Sequence, residues 1–255
     1  MRGLDGKVVV VAGGAGGIGS ATSIRLGEEG ANVVVGDLDA AAAAAVAKEI
    51  EARGGRALSL GFDISEPESV AALLAAAVDR FGPIDALHAN AADLSRGTIG
   101  ADSDAVEIDL DVYDRTMHVN ARGHLLCAQQ VIPRLLEHGG GALVFTMSAA
   151  AFVGEPTRPA YAMAKAAIGS LVRHIASKWG KEGIRANGVA PGLVLTETAR
   201  AGIDPHFRDY ALRTTRSARL GTPEDIAAMV AFLVSEDASW INGQVISVDG
   251  GALLR

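Results

Sequence analysis

The sequence contains a single cysteine and no long apolar run. Cys127 is the one cysteine in 255 residues, so an internal disulfide is excluded, which suits a reducing compartment. Its thiol falls in an apolar helical stretch, where packing is a commoner role than catalysis. No apolar segment approaches the ~18 residues of a membrane helix, and the apolar run at residues 8–11 starts too early to follow a signal peptide. We therefore expect a cytoplasmic protein without a membrane partner.

The sequence also lacks the patterns of a metal site and of a nucleic-acid site. Its six histidines are scattered, with no His-Glu-x-x-His spacing, and one cysteine cannot form Cys-x-x-Cys. We expect histidines such as His88 to pack in the core or lie on the surface. The formal net charge of −7 opposes binding to a polyanion. We predict neither a metal nor a nucleic-acid partner.

Short apolar runs alternate with helical segments along the whole chain. Hydrophobic residues make up 49% of it and glycines number 31, which suits a large core with many tight turns. Strands are predicted at residues 8–12, 32–36, 57–62, 84–89, 142–147, 185–190 and 244–248. The alternation predicts an α/β fold in which a doubly wound parallel sheet carries helices on both faces, as one domain over residues 1–255.

Local signals add detail to this α/β pattern. Ser65-Glu66-Pro67-Glu68 predicts a capping box that opens a helix, and Asp39 is placed to cap the helix after the second strand. A long helix is predicted at residues 112–138, and Asn120 in its interior is mildly unfavourable, so it requires a reason.

Two segments without clear periodicity follow predicted strands. Residues 93–111 form an acidic loop, whereas residues 193–218 contain four arginines and are predicted to form a mobile lid. Both leave the carboxyl ends of strands, so the loop could close on the lid over a substrate pocket. Two separate solvated segments are an equally favoured interpretation.

A glycine-rich turn lies between the first strand and the first helix. Glycines in such a turn let the backbone approach a pyrophosphate, whose charge is favoured at a helix N-terminus. This Rossmann-type interpretation competes with a tight turn that binds nothing. Asp37 ends the second strand, where its carboxylate could accept hydrogen bonds from an adenosine ribose. The turn residues are Gly13, Gly16, Gly17, Ile18 and Gly19.

Tyr161 and Lys165 are four residues apart in a predicted helix, so their side chains share a face. A tyrosine ionises near ~10, and a neighbouring cation lowers that pKa towards useful acid–base chemistry. Ser148 ends the fifth strand, at the sheet edge where α/β folds bind ligands. Taken singly, Ser148 could be a strand-end hydroxyl and Asn120 a helix-bending residue.

With these residues in place, the chain resembles the short-chain dehydrogenase/reductase family over nearly its whole length. The Thr-Gly-x-x-x-Gly-x-Gly motif of the family is matched by Gly13, Gly17 and Gly19, with Ala12 in place of threonine. The Asn-Asn-Ala-Gly motif appears as Ala89-Asn90-Ala91-Ala92, so both partners of the usual threonine–asparagine pair are replaced together. The four catalytic positions of the family correspond to Asn120, Ser148, Tyr161 and Lys165.

The resemblance implies hydride transfer between a secondary alcohol or ketone and NAD(H). Tyr161 would exchange the proton, Lys165 would lower its pKa and bind the ribose, Ser148 would bind the substrate oxygen, and Asn120 would hold a water. NAD is expected over NADP because Gly16 and Leu38 stand where the family places a cation for the 2′-phosphate. Further coenzyme contacts are implied at Asp63, Ile64, Asn90, Ala91, Pro191, Gly192, Val194 and Thr196.

The family commonly forms homotetramers, and apolar residues on several sides of the helices near Asn120 and Tyr161 favour that assembly. Two alternatives stay open: a non-catalytic dinucleotide-binding protein, and a related dehydratase or epimerase.

Overall fold

Seven strands form one parallel sheet in the computed structural model, which describes residues 1–254. The strand order is β3-β2-β1-β4-β5-β6-β7. Strands β2 and β3 are added on one side of β1 and β4 to β7 on the other, so the order of the strands reverses between β1 and β4. Ligands of such sheets bind at the carboxyl ends of the strands beside this reversal. The strands are β1 (Val8–Ala12), β2 (Asn32–Asp37), β3 (Arg56–Gly61), β4 (Ala86–Ala89), β5 (Gly141–Thr146), β6 (Ile184–Pro191) and β7 (Val245–Val248).

Helices cover both faces, as the alternation predicts. They are α1 (Gly17–Glu28), α2 (Ala40–Ala52), α3 (Pro67–Phe81), α4 (Leu110–Met117), α5 (Gly123–Glu137), α6 (Pro159–Trp179), α7 (Glu197–Gly202), α8 (Pro205–Thr214) and α9 (Pro223–Val234).

Strand β1 shows how one apolar run serves two cores. Val8 and Val10 belong to the cluster beneath α3, α5 and α6, whereas Val9 and Val11 pack with residues of α1 and α2. Successive side chains of a strand point to opposite faces, so a strand buried on both faces must be apolar throughout. Each such valine contributes roughly 1.5–3 kcal/mol through burial.

The long helix predicted at residues 112–138 is interrupted, which corrects that prediction. Helix α4 ends at Met117, a π-helical turn spans His118–Arg122, and α5 continues from Gly123. Asn120 lies inside this turn and is fully buried. Single π turns within helices occur frequently at functional sites, which supplies the reason that a buried asparagine required.

Of the two helix starts predicted from capping residues, one is confirmed and one is wrong. Asp39 caps α2 by accepting from the amide of Ala42, as predicted, and Thr222 forms a capping box with Asp225 at the start of α9. The capping box predicted at Ser65 is wrong, because α3 begins at Pro67 and the Ser65 side chain instead donates to Asp63.

The segment at residues 193–218 contains two short helices, α7 and α8, which its lack of periodicity did not predict. Thr196 and Asp204 cap them through the amides of Ala199 and Phe207. The segment ends against the turn after β7, where the amide of Ser217 donates to the Gly250 carbonyl at 2.9 Å. Its two ends are thus fixed to the sheet edge.

Candidate active site

Tyr161 and Ser148 meet at the carboxyl edge of the sheet. Ser148 follows β5, Tyr161 lies in the first turn of α6, and their side chains are hydrogen-bonded to each other. Burial raises the pKa of Tyr161 above 10, and the hydrogen bond with Ser148 lowers it in part. The phenol is therefore neutral in this structure, and Lys165 is not among the groups that shift its pKa.

Lys165 lies one turn further along α6, with its ammonium 5.9 Å from the centre of the Tyr161 ring. Its side chain is 1% exposed, and Nζ donates to the carbonyl oxygen of Thr146 at 2.9 Å. Burial lowers the pKa of Lys165 to about 8. An ammonium has three donors, so Lys165 is able to bind another acceptor besides this carbonyl.

Asn120 joins the π turn to the acidic loop. Its Oδ1 accepts from the amide of Asp93 at 2.7 Å, and its Nδ2 donates to the carbonyl of Asp93 at 3.2 Å. The turn also packs on α6, so Asn120 lies in the same region as Lys165. Asp93 therefore binds both ends of the Asn120 side-chain amide and fixes its orientation.

The glycine turn fits tightly against the end of β4. A β-carbon at Gly13 would lie 2.5 Å from Ala91, and one at Gly19 would lie 1.9 Å from the Gly13 carbonyl. Gly17 has φ 29°, and its β-carbon would meet Thr196 at 2.5 Å. Gly16 instead faces open space. Packing therefore fixes three glycines, and Gly16 borders the open side of the turn.

Main-chain atoms join the glycine turn to the end of β4, where the family usually has a threonine and an asparagine side chain. The carbonyl oxygen of Ala12 accepts from the amides of Asn90 and Ala91, both at 2.8 Å. Asn90 Nδ2 also donates to the carbonyl of Gly13 at 2.8 Å. The two segments stay joined without the side chains that Ala12 and Ala89 replace.

A buried histidine, His88, supports Asn90 through Thr146. Thr146 Oγ1 donates to Asn90 Oδ1 at 2.9 Å, so His88 Nε2, at 2.8 Å, must donate to Thr146. Burial and the charge of Lys165 lower the pKa of His88 to about 3, so it is neutral. His88 packs in the core, which is one of the two locations expected for it. No spacing in the sequence signals its hydrogen bond to Thr146.

Asp37 lies beside the glycine turn, as its position at the end of β2 predicted. One carboxylate oxygen accepts from the amide of Ala15 at 2.9 Å, and the other from the amide of Asp39 at 3.2 Å. Leu38 is 75% exposed. No cation forms an ion pair with Asp37 within residues 1–254, and Arg25 is paired with Glu29.

The remaining predicted coenzyme contacts divide into two groups. Ile18 and Val194 share an apolar cluster that joins the glycine turn to the start of the 193–218 segment, and a β-carbon on Gly192 would meet Asp249. Asp63 binds Ser65 through one carboxylate oxygen, while the side chain of Ile64 is buried in the core. Pro191 ends β6 at the same edge.

The acidic loop packs on α6 through Asp102, a residue that the sequence does not single out. Asp102 is 4% exposed and accepts from the amides of Ala160 and Tyr161. It is one of six acids in the segment, and no spacing distinguishes it. Within residues 1–254, no ion pair joins this loop to the 193–218 segment, and Asp93 pairs instead with Arg115 of α4.

Three further features concern metal binding, membrane spans and the single cysteine. The described part of the chain has no cluster of three or more side chains suited to a metal, and none of its helices has the length and apolar character to cross a membrane. Burial raises the pKa of Cys127 to about 12, so its thiol is protonated and inert.

Known proteins resemble the chain over its whole length. A family model described as enoyl-(acyl carrier protein) reductase matches residues 13–252. A probable short-chain type dehydrogenase/reductase of Bradyrhizobium diazoefficiens is 42% identical over 253 residues, which cover 99% of this chain and 89% of that protein. The chain belongs to the short-chain dehydrogenase/reductase family.

Two other members of this family are similar in sequence and structure. The 7α-hydroxysteroid dehydrogenase of Bacteroides fragilis is 34% identical over 255 residues, covering 100% of this chain and 97% of that protein. A solved structure of a 7α-hydroxysteroid dehydrogenase complexed with NADH and 7-oxo glycochenodeoxycholic acid has a TM-score of 0.92 and 35% identity. It covers 100% of this chain and 96% of that one. The predicted family and fold are confirmed, and the chain is an oxidoreductase of this family.

Proposed function

We propose that this short-chain dehydrogenase/reductase interconverts a secondary alcohol and a ketone with NAD(H). The observation that carries the proposal is the hydrogen-bonded Ser148–Tyr161 pair beside the buried ammonium of Lys165. A neutral phenol is the form that donates a proton when a ketone is reduced, and a hydroxyl beside it can bind the same oxygen. The solved relative with bound NADH supports the choice of coenzyme.

The residues present fit a dinucleotide. Helix α1 has no capping side chain, so the amides of Gly17 and Ile18 are available to a pyrophosphate, whereas that of Gly19 donates to the Gly16 carbonyl. Gly16 leaves open space beside them. Asp37 would hold the adenosine ribose and Asp63 the adenine edge. Asn90 and Ala91 would contribute their carbonyl oxygens, since both amides and the Asn90 side chain are already used.

When bound, the nicotinamide supplies the hydride acceptor or donor; the protein supplies proton transfer and orientation. Tyr161 gives its proton to the ketone oxygen during reduction or takes it from the alcohol during oxidation. Ser148 donates a hydrogen bond to that oxygen, a role worth on the order of 2.7–4 kcal/mol in other enzymes. Lys165 would bind the nicotinamide ribose and stabilise the phenolate, and Asn120 would hold a water near it.

The coenzyme is NAD rather than NADP. A 2′-phosphate would place a second anion against Asp37, and neither Gly16 nor Leu38 offers a cation to offset it. Charge repulsion and lost hydrogen bonds should cost roughly 2–4 kcal/mol, or about 30- to 1000-fold in preference.

The substrate is an apolar alcohol or ketone that enters between the acidic loop and the 193–218 lid, the two segments that flank the pocket. Several partly exposed apolar side chains are candidate walls. Relatives that act on 7α-hydroxysteroids make bile acids the first substrates to test. The candidate walls are Phe152, Leu193, Phe207 and Tyr210.

The test is kcat/KM for a panel of secondary alcohols and ketones, 7α-hydroxy and 7-oxo bile acids among them, with each coenzyme. We expect turnover with NAD(H) and a preference over NADP(H) of at least about 30-fold. Tight NADH binding with no turnover on any substrate would favour a binding-only protein, and equal use of both coenzymes would contradict the role of Asp37.

The enzyme forms a homotetramer in the cytoplasm through its outer helices and β7. Leu126, Val131 and Ile168 pack in the core, on the side of α5 and α6 that was expected to face the sheet. Leu125 and Met163 are about half exposed on those helices, however, and Trp240, close to β7, is 99% exposed. Apolar side chains exposed in this way support an interface.

A further inference from the structure

Helix α6 begins without a capping side chain of its own. Its N-cap residue, Arg158, adopts φ 68° and ψ 44° and makes no side-chain cap. No other non-glycine residue among residues 1–254 has a positive φ. Pro159 follows, and it has no N–H group. The amides of Ala160 and Tyr161 are therefore the first in the helix that require an acceptor.

Asp102 provides that acceptor from the acidic loop. Its Oδ1 accepts from Ala160 at 3.2 Å and its Oδ2 from Tyr161 at 2.8 Å. The carbonyl oxygen of Asp102 also accepts from the amide of Arg158 at 3.1 Å. A carboxylate is stabilised at this place by the dipole of the helix. One buried side chain thus occupies both orphan donors of the first turn.

The same loop holds the π turn that carries Asn120. The main chain of Asp93 binds both ends of the Asn120 amide, at 2.7 and 3.2 Å. The Asp93 carboxylate accepts from Thr98 Oγ1, and the carbonyl of Thr98 accepts from the amide of Asp102 at 2.9 Å. A continuous set of hydrogen bonds therefore joins the π turn to the first turn of α6.

We propose that Asp102 is a positioning residue for Tyr161, because it binds the main-chain amide of Tyr161 and fixes the first turn of α6 beside Ser148. This proposal depends on the proposed function only for its effect on catalysis. A displacement of about 1 Å at a reacting group can lower a rate by ~10²-fold. Packing of the acidic loop on α6 therefore also aligns Tyr161.

The first test needs no substrate. Hydrogen–deuterium exchange of the intact protein reports the amides of Ala160 and Tyr161 directly. In Asp102→Asn, a side-chain NH₂ group replaces one accepting oxygen, so we expect exchange in this peptide to accelerate by about tenfold or more, the effect of losing a hydrogen bond worth ~1.4 kcal/mol. Asp102→Glu keeps the carboxylate and should restore part of the protection. Exchange equal to wild type in Asp102→Asn would overturn the proposal.

The second test separates positioning from coenzyme binding. With the best substrate of the panel above, Asp102→Asn should lower kcat by about 10- to 100-fold, while the Kd for NADH stays near that of wild type. In a Ser148→Ala background the same substitution should cost much less, because residues that act as a unit are not additive. A full, additive loss of kcat would contradict action through the Tyr161–Ser148 alignment.

Asp104 offers a matched control in the same loop. It is exposed, and its carboxylate accepts from the amides of Val106 and Glu107, not from α6. Asp104→Asn should leave both the exchange of Tyr161 and kcat near wild type. If the wild type turns over no substrate, the proposed function fails, yet the exchange experiment still decides whether Asp102 caps α6.

Discussion

At the scale of the residue, burial sets the charge of each group in the site. It raises the pKa of Tyr161 and lowers the pKa of Lys165, so it favours the neutral form of both. Lys165 is hydrogen-bonded to the Thr146 carbonyl.

Tyr161→Phe removes the phenolic proton and leaves the ring in place. We expect kcat to fall by about 10²- to 10⁴-fold, the range of general acid–base catalysis. The Kd for NADH, from fluorescence titration, should stay near that of wild type. Tyr113→Phe is the control, since Tyr113 lies in α4 and has no place in the proposed mechanism. Turnover near wild type in Tyr161→Phe would remove Tyr161 from the proposed mechanism.

Lys165→Met should abolish turnover and yet stabilise the protein at pH 7. The folded-state pKa of about 8 lies below the ordinary 10.5, so the cost of burying the ammonium is fully present below pH 8. As pH rises from 8 to 10.5, Lys165 loses its proton in the folded protein and keeps it in the unfolded chain, so wild-type stability increases. The pH-dependent cost of burying the ammonium is on the order of 3 kcal/mol of unfolding free energy. The variant also loses a hydrogen bond worth about 1 kcal/mol, which reduces its net gain in stability.

Urea unfolding of wild type and Lys165→Met at pH 7 and pH 10.5 measures this difference. The advantage of the variant should shrink across that interval. A difference that does not depend on pH would mean that Lys165 is not destabilised by burial.

At the scale of the element, β4 and β5 are joined at their carboxyl ends by the His88–Thr146–Asn90 hydrogen bonds, and Asn90 also reaches the turn after β1. His88→Val and Thr146→Val each break the same bond, so a double-mutant cycle should give a coupling energy of about 1 kcal/mol. Unfolding in urea measures it. Additive effects would show that the bond contributes nothing, and His138→Val, at an exposed site after α5, serves as the control for histidine removal.

Elements held by local signals could be predicted from the sequence, and those held by distant contacts could not. The β1 valines and the cap at Asp39 depend on neighbours in the chain, and both predictions are confirmed. The predicted box at Ser65 is an exception among the local signals, because Asp63, only two residues before it, takes its hydroxyl. Asp102 carries no signal in the sequence, because the amides it binds lie 58 and 59 residues away.

At the scale of the whole molecule, the exposed apolar side chains of α5 and α6 mark where copies of the chain would meet. Leu125 is 52% and Met163 50% exposed, on helices whose inner faces are already packed. Light scattering at micromolar concentration should therefore give about four times the chain mass of 26.1 kDa.

Arginine at either position should shift that mass downwards, since a charge in an apolar interface is poorly tolerated. Val78→Arg, on α3 at 39% exposure, provides the control and should leave the tetramer intact. A monomeric wild type would contradict the assembly.

The π turn at His118–Arg122 holds one residue more than an α-helical turn would. Deleting one residue from it would let α4 continue into α5 as a regular α-helix. The widened turn that carries Asn120 would then be lost, and with it the place from which Asn120 binds the main chain of Asp93. A single-residue deletion here would thus make the helix more regular and still separate the acidic loop from the turn that it holds.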